Sequence, residues 1–517
     1  MIISKKILII GAGNAGRPAA QLLNYLGHEI RISDIRSYQK LPEKARYNLK
    51  ILEGKGVTLE LGGHKNQSLK WADAVFISPN VPEKAEIRKL IRDEKKKRKM
   101  IEITTRDIGK ILNSLIEIPI VGVAGTDGKT TTTNMIGHCV KKLYKPFILS
   151  SLEGSLVIES LAELVTSDDK LNKDLAVLEL PHGTIRMADG IEILVGIVTN
   201  LTPDHMEEFN SYEEYIKRNL SIKKLLHENG ILILNGDDPI LSKFNPDNHE
   251  TIFYGLNHPK TINYKGKVYE NREKTDLHVV AEKVENKGLQ GSKFQVRLDE
   301  IPTMICENCR KINCNCGQFK RKYIKHQTVN IKIKLPGEFN IENTLATITT
   351  GLVLGLDLEA IKNQVESFSS LRGRFEKIGI INGVNIFMDA AHNPESMETL
   401  LTSLEVKGKL IITLDNPDTL TIRDKFKIGK IIGKYADLVF VSAKNETTGI
   451  VDIKAAEEVL RGTNFKEKHL ALSIEEAMTK AIKNAVKGDI IIHMGPGVVN
   501  AYDKVKNDIL MALDLEI

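Results

Sequence analysis

The stretch Ile118-Pro-Ile-Val-Gly-Val-Ala-Gly-Thr-Asp-Gly-Lys-Thr-Thr131 decides the fold class of this chain. Its apolar start predicts a strand, its glycine-rich middle a loop, and its end the opening of a helix. In such a setting, backbone N–H groups and a helix N-terminus hold phosphates, while Lys129 can neutralise the β and γ phosphates and the Thr130 hydroxyl can ligate Mg²⁺. Strict Walker A spacing would place glycine where this chain has Val123, so the loop is a variant whose first glycine is Gly125.

A second glycine-rich turn, Gly11-Ala-Gly-Asn-Ala-Gly16, lies near the N-terminus. Strands are predicted over Lys6–Ile10 and Glu29–Ser33, with a helix over Arg17–Leu26 between them, which makes a βαβ unit. Asp34 follows at about the distance expected for a dinucleotide fingerprint. Alone this motif is weak evidence for nucleotide binding, and a turn with a purely structural role is the alternative interpretation.

The length of 517 residues indicates about three domains, at about 100–200 residues each. Strand and helix patterns recur after the Ile118 stretch and again from Phe375 to the C-terminus. We therefore predict an α/β fold with an N-terminal Rossmann-like domain (1–117), a central P-loop ATPase-like domain (118–370) and a C-terminal Rossmann-like domain (371–517). An insertion at about 257–330 interrupts the rhythm of the central domain with short β-like pieces.

Four of the five cysteines crowd into this insertion: Cys306, Cys309, Cys314 and Cys316. Four thiolates in a short loop suffice for a closed tetrahedral Zn²⁺ site, which leaves no open coordination position for catalysis. We predict structural zinc, with redox thiols or a metal cluster as the alternatives. The lysines and arginines beside the cysteines suggest a solvated surface more than a nucleic-acid-binding knuckle.

Composition excludes several classes of protein. An apolar fraction of 42% argues against a disordered chain, and no stretch approaches the ~18 uncharged apolar residues of a spanning helix. The net charge of +6, from 73 basic and 67 acidic residues, gives little attraction to nucleic acid. We expect a cytoplasmic monomer that binds neither nucleic acid nor a membrane, and the N-terminus shows no cleavage site for a targeting segment.

The variant loop resembles the nucleotide loop of the Mur ligases, the amide-forming enzymes of bacterial cell-wall precursor assembly, and of the folylpolyglutamate and cyanophycin synthetases. Six further blocks resemble the family in the family's order. These blocks are Leu178–Leu180, Thr199–His205, Asn235–Pro239, Gly337–Asn343, Gly373–Glu376 and Asp389–Pro394. With the loop they span more than half of the chain, and the flanking Rossmann-like patterns agree with the family's three-domain plan.

The resemblance implies roles for individual residues. Lys129, Glu179 and His205 are the implied catalytic residues, and Thr130, Glu179 and His205 the implied Mg²⁺ ligands. Asn343 is expected to contact the adenine of the nucleotide, Asp389 its ribose and Arg374 its phosphates. The other expected nucleotide-binding residues are Gly125, Thr126, Asp127, Gly128, Lys129, Thr130, Thr131 and Asn340. Phe339 replaces the histidine of the family's His-Asn pair.

A second departure concerns the metal site. Many Mur ligases carry a carbamoylated lysine four residues after a tyrosine, and that lysine helps to hold Mg²⁺. Here Asn219 occupies the position after Tyr215. Asparagine cannot be carbamoylated, although its carbonyl can hold a water of the metal shell.

In the Mur family the N-terminal fold binds the UDP of the acceptor, and Ile32–Arg36 resembles the strand end that recognises uracil. We therefore favour a nucleotide-carrier site over an NAD site, for which no hydride-transfer residues follow. The expected substrate-binding residues are Gly11, Gly13, Asn14, Gly16, Asp34, Arg36, Ser78, His392 and Asn393.

The resemblance implies an ATP-dependent ligase that forms a peptide or isopeptide bond between a UDP-linked cell-wall precursor and an amino acid, in peptidoglycan or pseudomurein synthesis. Its expected cofactors are ATP and Mg²⁺, with structural Zn²⁺. Cyanophycin-type and folylpolyglutamate-type ligation are the nearest alternatives. The alternative of another class is a non-catalytic nucleotide sensor or nucleic-acid binder.

Overall fold

The structure is a computed structural model that describes residues 5–513 with short gaps. The gaps are 154–156, 168–171, 246–248, 271–274, 309–311, 313–319, 405, 418–423, 446–448, 465–466 and 496–500. Among the described helices, none is long and apolar enough to span a bilayer.

The N-terminal part of the chain forms a parallel five-stranded sheet with helices between its strands. Its elements are β1 (Lys6–Ile10), α1 (Gly16–Tyr25), β2 (Glu29–Asp34), α2 (Glu43–Gly54), β3 (Thr58–Leu61), α3 (Asn66–Trp71), β4 (Ala74–Ile77), α4 (Glu86–Lys97), β5 (Ile101–Ile103) and α5 (Thr105–Ile116). The strand order is β3-β2-β1-β4-β5, so the predicted βαβ unit is confirmed and the order reverses beside β1. Such a reversal leaves a crevice at the carboxyl ends of the strands, where ligands bind in folds of this type.

The central part contains a nine-stranded sheet and two short hairpin-like pairs. Its elements are β6 (Ile120–Ala124), α6 (Lys129–Val140), β7 (Pro146–Leu149), α7 (Val157–Val165), β8 (Leu175–Glu179), α8 (His182–Met187), β9 (Ile193–Val198), α9 (Tyr212–Leu220), β10 (Leu226–Asn235), β11 (Glu250–Gly255), β12 (Thr261–Tyr264), β13 (Lys267–Glu270), β14 (Val279–Asn286), β15 (Ser292–Leu298), β16 (Ile301–Cys306), β17 (Arg321–Ile324), β18 (Gln327–Ile333), α10 (Glu338–Val353) and α11 (Leu358–Ser367). The order is β18-β15-β14-β11-β10-β9-β6-β8-β7. The fully buried β6 pairs with β8 and β9, so the phosphate-loop sequence leaves the middle of the sheet.

Part of the segment predicted as an insertion, at about 257–330, belongs to the nine-stranded sheet. Strand β14 pairs in parallel with β11, and β15 and β18 continue the sheet as antiparallel strands; among the described strands of this segment, the pairs β12-β13 and β16-β17 lie outside it. The physical reason is the alternation of buried and exposed residues along β15 and β18, which buries one face against the core and leaves lysines on the other.

The C-terminal part forms a six-stranded sheet. Its elements are β19 (Glu376–Ile381), β20 (Val384–Asp389), α12 (Pro394–Thr402), β21 (Leu410–Leu414), α13 (Lys425–Tyr435), β22 (Leu438–Ser442), α14 (Ile453–Gly462), β23 (Lys468–Ala471), α15 (Ile474–Asn484), β24 (Ile490–Met494) and α16 (Tyr502–Ala512). The order is β19-β20-β24-β21-β22-β23, and only the β19-β20 pair among them is antiparallel. The three sheets support the predicted α/β class, while the domain bounds stay predictions.

The N-terminal sheet docks on the central part through a buried ion pair and a close backbone approach. Arg17 of α1 donates to Glu159 of α7, with Nη2 3.0 Å from Oε1, and both side chains are about 5% exposed. A Cβ atom on Gly109 of α5 would lie 2.1 Å from the carbonyl oxygen of Asp189, and one on Gly190 would lie 2.2 Å from that of Arg106. At this contact the two backbones meet with no side chain between them.

Candidate active site

A cavity of about 340 Å³ lies between the central sheet and the C-terminal sheet. It is bounded by the carboxyl ends of β6, β8 and β9, the N-termini of α6 and α10, and the segments around β20. Most of the predicted catalytic and nucleotide-binding residues line it: Thr126, Asp127, Gly128, Lys129, Thr130, Thr131, Glu179, His205, Asn340, Asn343, Arg374 and Asp389. The structure thus gathers into one space residues that lie far apart in the sequence.

The phosphate loop requires glycine at two of its positions. Gly125 and Gly128 have φ of +126° and +80°, in the region that disfavours side chains. A Cβ on Gly125 would lie 2.2 Å from Thr199 Oγ1, and one on Gly128 would lie 2.3 Å from Asn343 Oδ1. Asn200 also fixes the loop, because its backbone carbonyl accepts the N–H of Thr126 and its Oδ1 accepts the N–H of Asp127, each at 2.9 Å.

The first turn of α6 carries the charged and hydroxyl groups of the loop. The Lys129 ammonium donates back to the carbonyl of Thr126, so it lies over the loop. The Thr130 hydroxyl donates to Glu179 Oε2 at 3.0 Å, and the backbone N–H of Ser151 donates to the same oxygen at 2.7 Å. Ser151 belongs to no recognised block, so sequence reasoning missed it.

His205 lies on the same cavity in a left-handed backbone conformation, with φ of +52°. Its ligand atoms and those of Glu207 and Glu208 lie within 4.8 Å of one another, close enough to hold a metal ion. His182, which sequence reasoning missed, lies 3.2 Å from Glu208 Oε2, and burial lowers its pKa. The Thr130 hydroxyl and the Glu179 carboxylate supply the oxygen ligands that Mg²⁺ prefers, while His205 as a ligand of the same ion stays a prediction.

A buried asparagine stands at the position where many Mur ligases carry the carbamoylated lysine. Asn219 is fully buried, donates its amide to the carbonyl of Tyr215 at 3.1 Å, and has no partner for Oδ1 within the described part of the chain. Tyr215, one turn earlier, lines the cavity instead, and its hydroxyl lies 2.6 Å from Thr126 Oγ1. Burial raises the pKa of Tyr215, so the phenol stays protonated at neutral pH.

Helix α10 borders the cavity at the end expected to hold the base. Asn343 accepts from Thr132 Oγ1 at 3.1 Å and donates to Asn340 Oδ1 at 3.3 Å. Phe339, which replaces the family's histidine, lines the cavity and packs against the core of the C-terminal sheet. An apolar side chain therefore stands where the family has its histidine.

The C-terminal sheet contributes Arg374 and Asp389. Both oxygens of Asp389 accept backbone N–H groups, from Phe375 and Ala391, each at 2.7 Å. Burial raises the pKa of Asp389. Burial lowers the pKa of Arg374, but the neighbouring Tyr502 and the carboxylates of Asp389, Glu179 and Asp127 more than offset this, so its pKa is raised. The guanidinium therefore stays charged beside the phosphate loop.

His392 and Asn393 also line the cavity. His392 Nδ1 lies 2.8 Å from the carbonyl oxygen of Ala390, which can only accept, so Nδ1 carries a proton. Asn393 caps α12, with Oδ1 accepting from the Ser396 N–H at 2.8 Å. Their predicted contact with substrate is untested.

The predicted carrier site forms a separate cluster at the crevice of the N-terminal sheet. A Cβ on Gly16 would lie 1.8 Å from the carbonyl oxygen of Gly11, so α1 packs tightly on the turn, while a Cβ on Gly13 would meet nothing within 4 Å. The side chain of Asn14 accepts from Arg17 at 3.3 Å. Ser78 is buried and bonded to the end of β1 through its N–H, at 2.9 Å from the carbonyl of Ile10.

Asp34 accepts more hydrogen bonds from within the protein than the sequence suggests. Its two oxygens accept from the Ala12 N–H at 2.8 Å and from three N–H groups of Arg36 at 2.8–3.0 Å. Burial raises the pKa of Asp34, but the hydrogen bonds from Arg36 and Ala12 more than offset it and hold the pKa below its usual value. The carboxylate therefore shapes the glycine turn, and its contact with a carrier stays a prediction.

The predicted zinc site lies largely outside the described residues. Cys306 is fully buried at the end of β16. Cys309, Cys314 and Cys316 fall in the undescribed segments 309–311 and 313–319. The zinc prediction is accordingly untested.

Two family profiles match the chain: the Mur ligase middle domain over residues 123–298 and the glutamate ligase domain of Mur ligases over residues 373–497. A protein of unassigned function from Methanothermobacter thermautotrophicus is 52% identical over 268 residues, which cover 52% of this chain and 85% of that protein. The UDP-N-acetylmuramoylalanine–D-glutamate ligase of Geotalea daltonii is 26% identical, covering 95% of this chain and 92% of the relative. A pseudomurein peptide ligase type C from Methanothermus fervidus has a similar solved structure, with a TM-score of 0.58, 26% identity, and coverage of 98% of this chain and 100% of that one.

Proposed function

The chain belongs to the Mur ligase family, and from this premise we propose that it is an ATP-dependent ligase that joins an amino acid to a UDP-linked cell-wall precursor. One observation carries the proposal. The phosphate loop, Glu179 and His205 of the central sheet share a single cavity with Arg374 and Asp389 of the C-terminal sheet. A nucleotide bound on the loop would thus contact both sheets.

In the proposed reaction, a carboxylate oxygen of the acceptor attacks the γ-phosphorus of ATP, and the bond to the β-γ bridging oxygen breaks to release ADP. The resulting acyl phosphate is attacked by the amino group of the incoming amino acid. The tetrahedral intermediate loses phosphate, and the amine loses a proton, to leave the amide. This chemistry needs no nucleophilic side chain of the protein.

The side chains act by positioning and by charge. The N–H groups of the loop and the Lys129 ammonium hold the phosphates, and Arg374 adds a second cation from the opposite sheet. Thr130, Glu179 and His205 are the proposed ligands of Mg²⁺, which supplies charge neutralisation at the transferring phosphoryl group when bound. Tyr215 fixes Thr126 and thereby the shape of the loop.

The acceptor is proposed to lie on the N-terminal sheet, with its pyrophosphate at the turn Gly11–Gly16 and the N-terminus of α1. The open space at Gly13 supports this, since a ligand can approach the backbone there. The Geotalea relative is named for a UDP-linked substrate and the Methanothermus structure for pseudomurein peptide ligation. Because both relatives match nearly the whole chain at 26% identity, we propose that the acceptor is a precursor of either peptidoglycan or pseudomurein.

We further propose that Cys306, Cys309, Cys314 and Cys316 bind one structural Zn²⁺ per chain. The spacing of the cysteines supports this, and metal analysis of the purified protein tests it. A protein without zinc, or with zinc retained after Cys306→Ser, contradicts the proposal.

The test of the ligase function is phosphate release from ATP in the presence of UDP-linked acceptors and each common amino acid. We expect release that requires both an acceptor and one amino acid. Release that needs neither substrate would indicate an ATPase that is not a ligase, and ADP binding without any turnover across the full screen would indicate a non-catalytic nucleotide sensor. In hydrogen exchange, UDP should protect β1 and α1 whereas NAD should not.

A further inference from the structure

One buried carboxylate on the cavity has no role in the chemistry proposed above. Glu342 lines the cavity, is 5% exposed, and stands directly before Asn343 on α10. Lys260 pairs with it, with Nζ 2.5 Å from Oε1. A buried carboxylate is costly unless its oxygens are paired and hydrogen-bonded. Glu342 is therefore equipped to take a further donor from a molecule in the cavity.

The two asparagines at this end of the cavity are already bonded within the protein. Asn343 accepts from Thr132 and donates to Asn340, and Asn340 donates to the carbonyl of Pro336 at 2.7 Å. Hydrogen bonds to an ionised acceptor are stronger than those to an amide. Glu342 is thus better suited than either asparagine to select a donor on the base.

The segment 256–260, which places Lys260 beside Glu342, is held by hydrogen bonds to Asp237. Asp237, which is 2% exposed, accepts the N–H groups of Leu256 at 2.6 Å and His258 at 2.8 Å through its carboxylate. The carbonyl of Asp237 also accepts the N–H of Lys260 at 2.8 Å. Since the backbone is anchored before the lysine and at the lysine itself, the ammonium fixes one oxygen of Glu342 and so orients the carboxylate.

We propose that Glu342 determines base specificity by accepting a hydrogen bond from the exocyclic amino group of adenine, and that Lys260 is its positioning residue. The inference rests on the proposed use of ATP in this cavity. A 6-oxopurine such as hypoxanthine or guanine presents a carbonyl where adenine presents the amino group. Two acceptors would then face each other, which disfavours the wrong base.

The test is the affinity of the full chain for ADP and for inosine diphosphate, measured by calorimetry. The wild type should bind ADP about tenfold or more tightly than inosine diphosphate, since an unmet buried acceptor discriminates strongly. Glu342→Gln should lose most of that ratio, because an amide can donate as well as accept. Glu338→Gln, an exposed change in the first turn of the same helix, should keep it.

Lys260→Met should lower the same ratio and raise the KM for ATP with little change in kcat, and Lys260→Arg should restore both. Lys267→Met, which removes an exposed lysine of β13, is the matched control. A wild type that binds the two nucleotides equally, or Glu342→Gln with an unchanged ratio, overturns the proposal. Should Glu342→Gln fail to fold, the wild-type ratio and the Lys260 variants decide. Failure of the ligase function shows separately, as absent phosphate release despite normal ADP binding.

Discussion

Arg17→Met should loosen the docking of the N-terminal sheet on the central part. Arg17 donates two hydrogen bonds to Glu159, at 3.0 and 3.3 Å, and a third to the carbonyl of Ala12 in the glycine turn at 3.0 Å. Methionine keeps much of the apolar stem and removes the charge. The carboxylate of Glu159 would then stay buried without its main partner.

The size of the effect follows from what surrounds Glu159. Removing one partner of a buried ion pair costs about 3–5 kcal/mol. The Asn48 amide at 2.9 Å and the exposed Lys44 at 4.0 Å still stabilise the Glu159 carboxylate in the variant. We therefore expect a loss at the lower end of that range, about 3 kcal/mol. In local opening this corresponds to about 10²-fold faster hydrogen exchange.

The assay is hydrogen exchange of the amides in α1 and α7, with thermal unfolding as a second measurement. Glu159→Gln together with Arg17→Met should recover much of the loss, since the unpaired charge is gone. Arg92→Met, which removes an exposed arginine of α4, is the control. If Arg17→Met exchanges as slowly as the control, the pair does not hold the interface and the reasoning fails.

Four further outcomes are expected. Lys129→Ala should reduce turnover by about 10²-fold or more with the fold intact, and an active mutant would remove its role. Glu179→Ala and His205→Ala should each raise the Mg²⁺ concentration required for activity, so unchanged titrations would contradict the metal assignment. Because Asn219 cannot be carbamoylated, activity should not depend on bicarbonate, and a bicarbonate requirement would disprove this. The pKa of Asp34 is lowered in the folded protein, so its contribution to stability should be full above the usual carboxyl pKa of about 3.9 and should be lost as the pH falls through the lowered value. Asp34→Asn should therefore lower Tm at neutral pH and have the same Tm as the wild type in acid. A difference in Tm that persists in acid would contradict this.

The strands that the sequence predicted best are buried on both faces. β1 has the predicted bounds and β2 ends one residue later than predicted, because runs rich in apolar residues carry a clear signal. β7 at the sheet edge was missed, since it has four residues and begins with proline, which is uncommon inside strands. β15 and most of β18 fall in the segment predicted as an insertion, because short strands that alternate apolar and polar residues differ from the buried parallel strands before them.

For the candidate site, the sequence predicted where residues stand along the chain but not which ones meet. The phosphate loop follows β6, Glu179 ends β8, and His205 lies in the connection after β9, so their shared edge follows from the topology. The contact of Thr126 with Tyr215 joins residues 89 positions apart, and that of Glu342 with Lys260 joins two different elements. Neither has a local pattern, so only the packed chain reveals them.

The reciprocal approach of Gly109 and Gly190 bears on how the N-terminal part can be exchanged. A graft that replaces residues 1–117 by the equivalent region of another ligase, to change the carrier that is bound, must bring a residue without a side chain at position 109. Even alanine would set a methyl carbon 2.1 Å from the Asp189 oxygen and push the two parts apart. The residue at position 109 should therefore count before overall sequence similarity when a donor for a chimera is chosen. A graft that carries alanine there should regain its docking on the central part when glycine is restored.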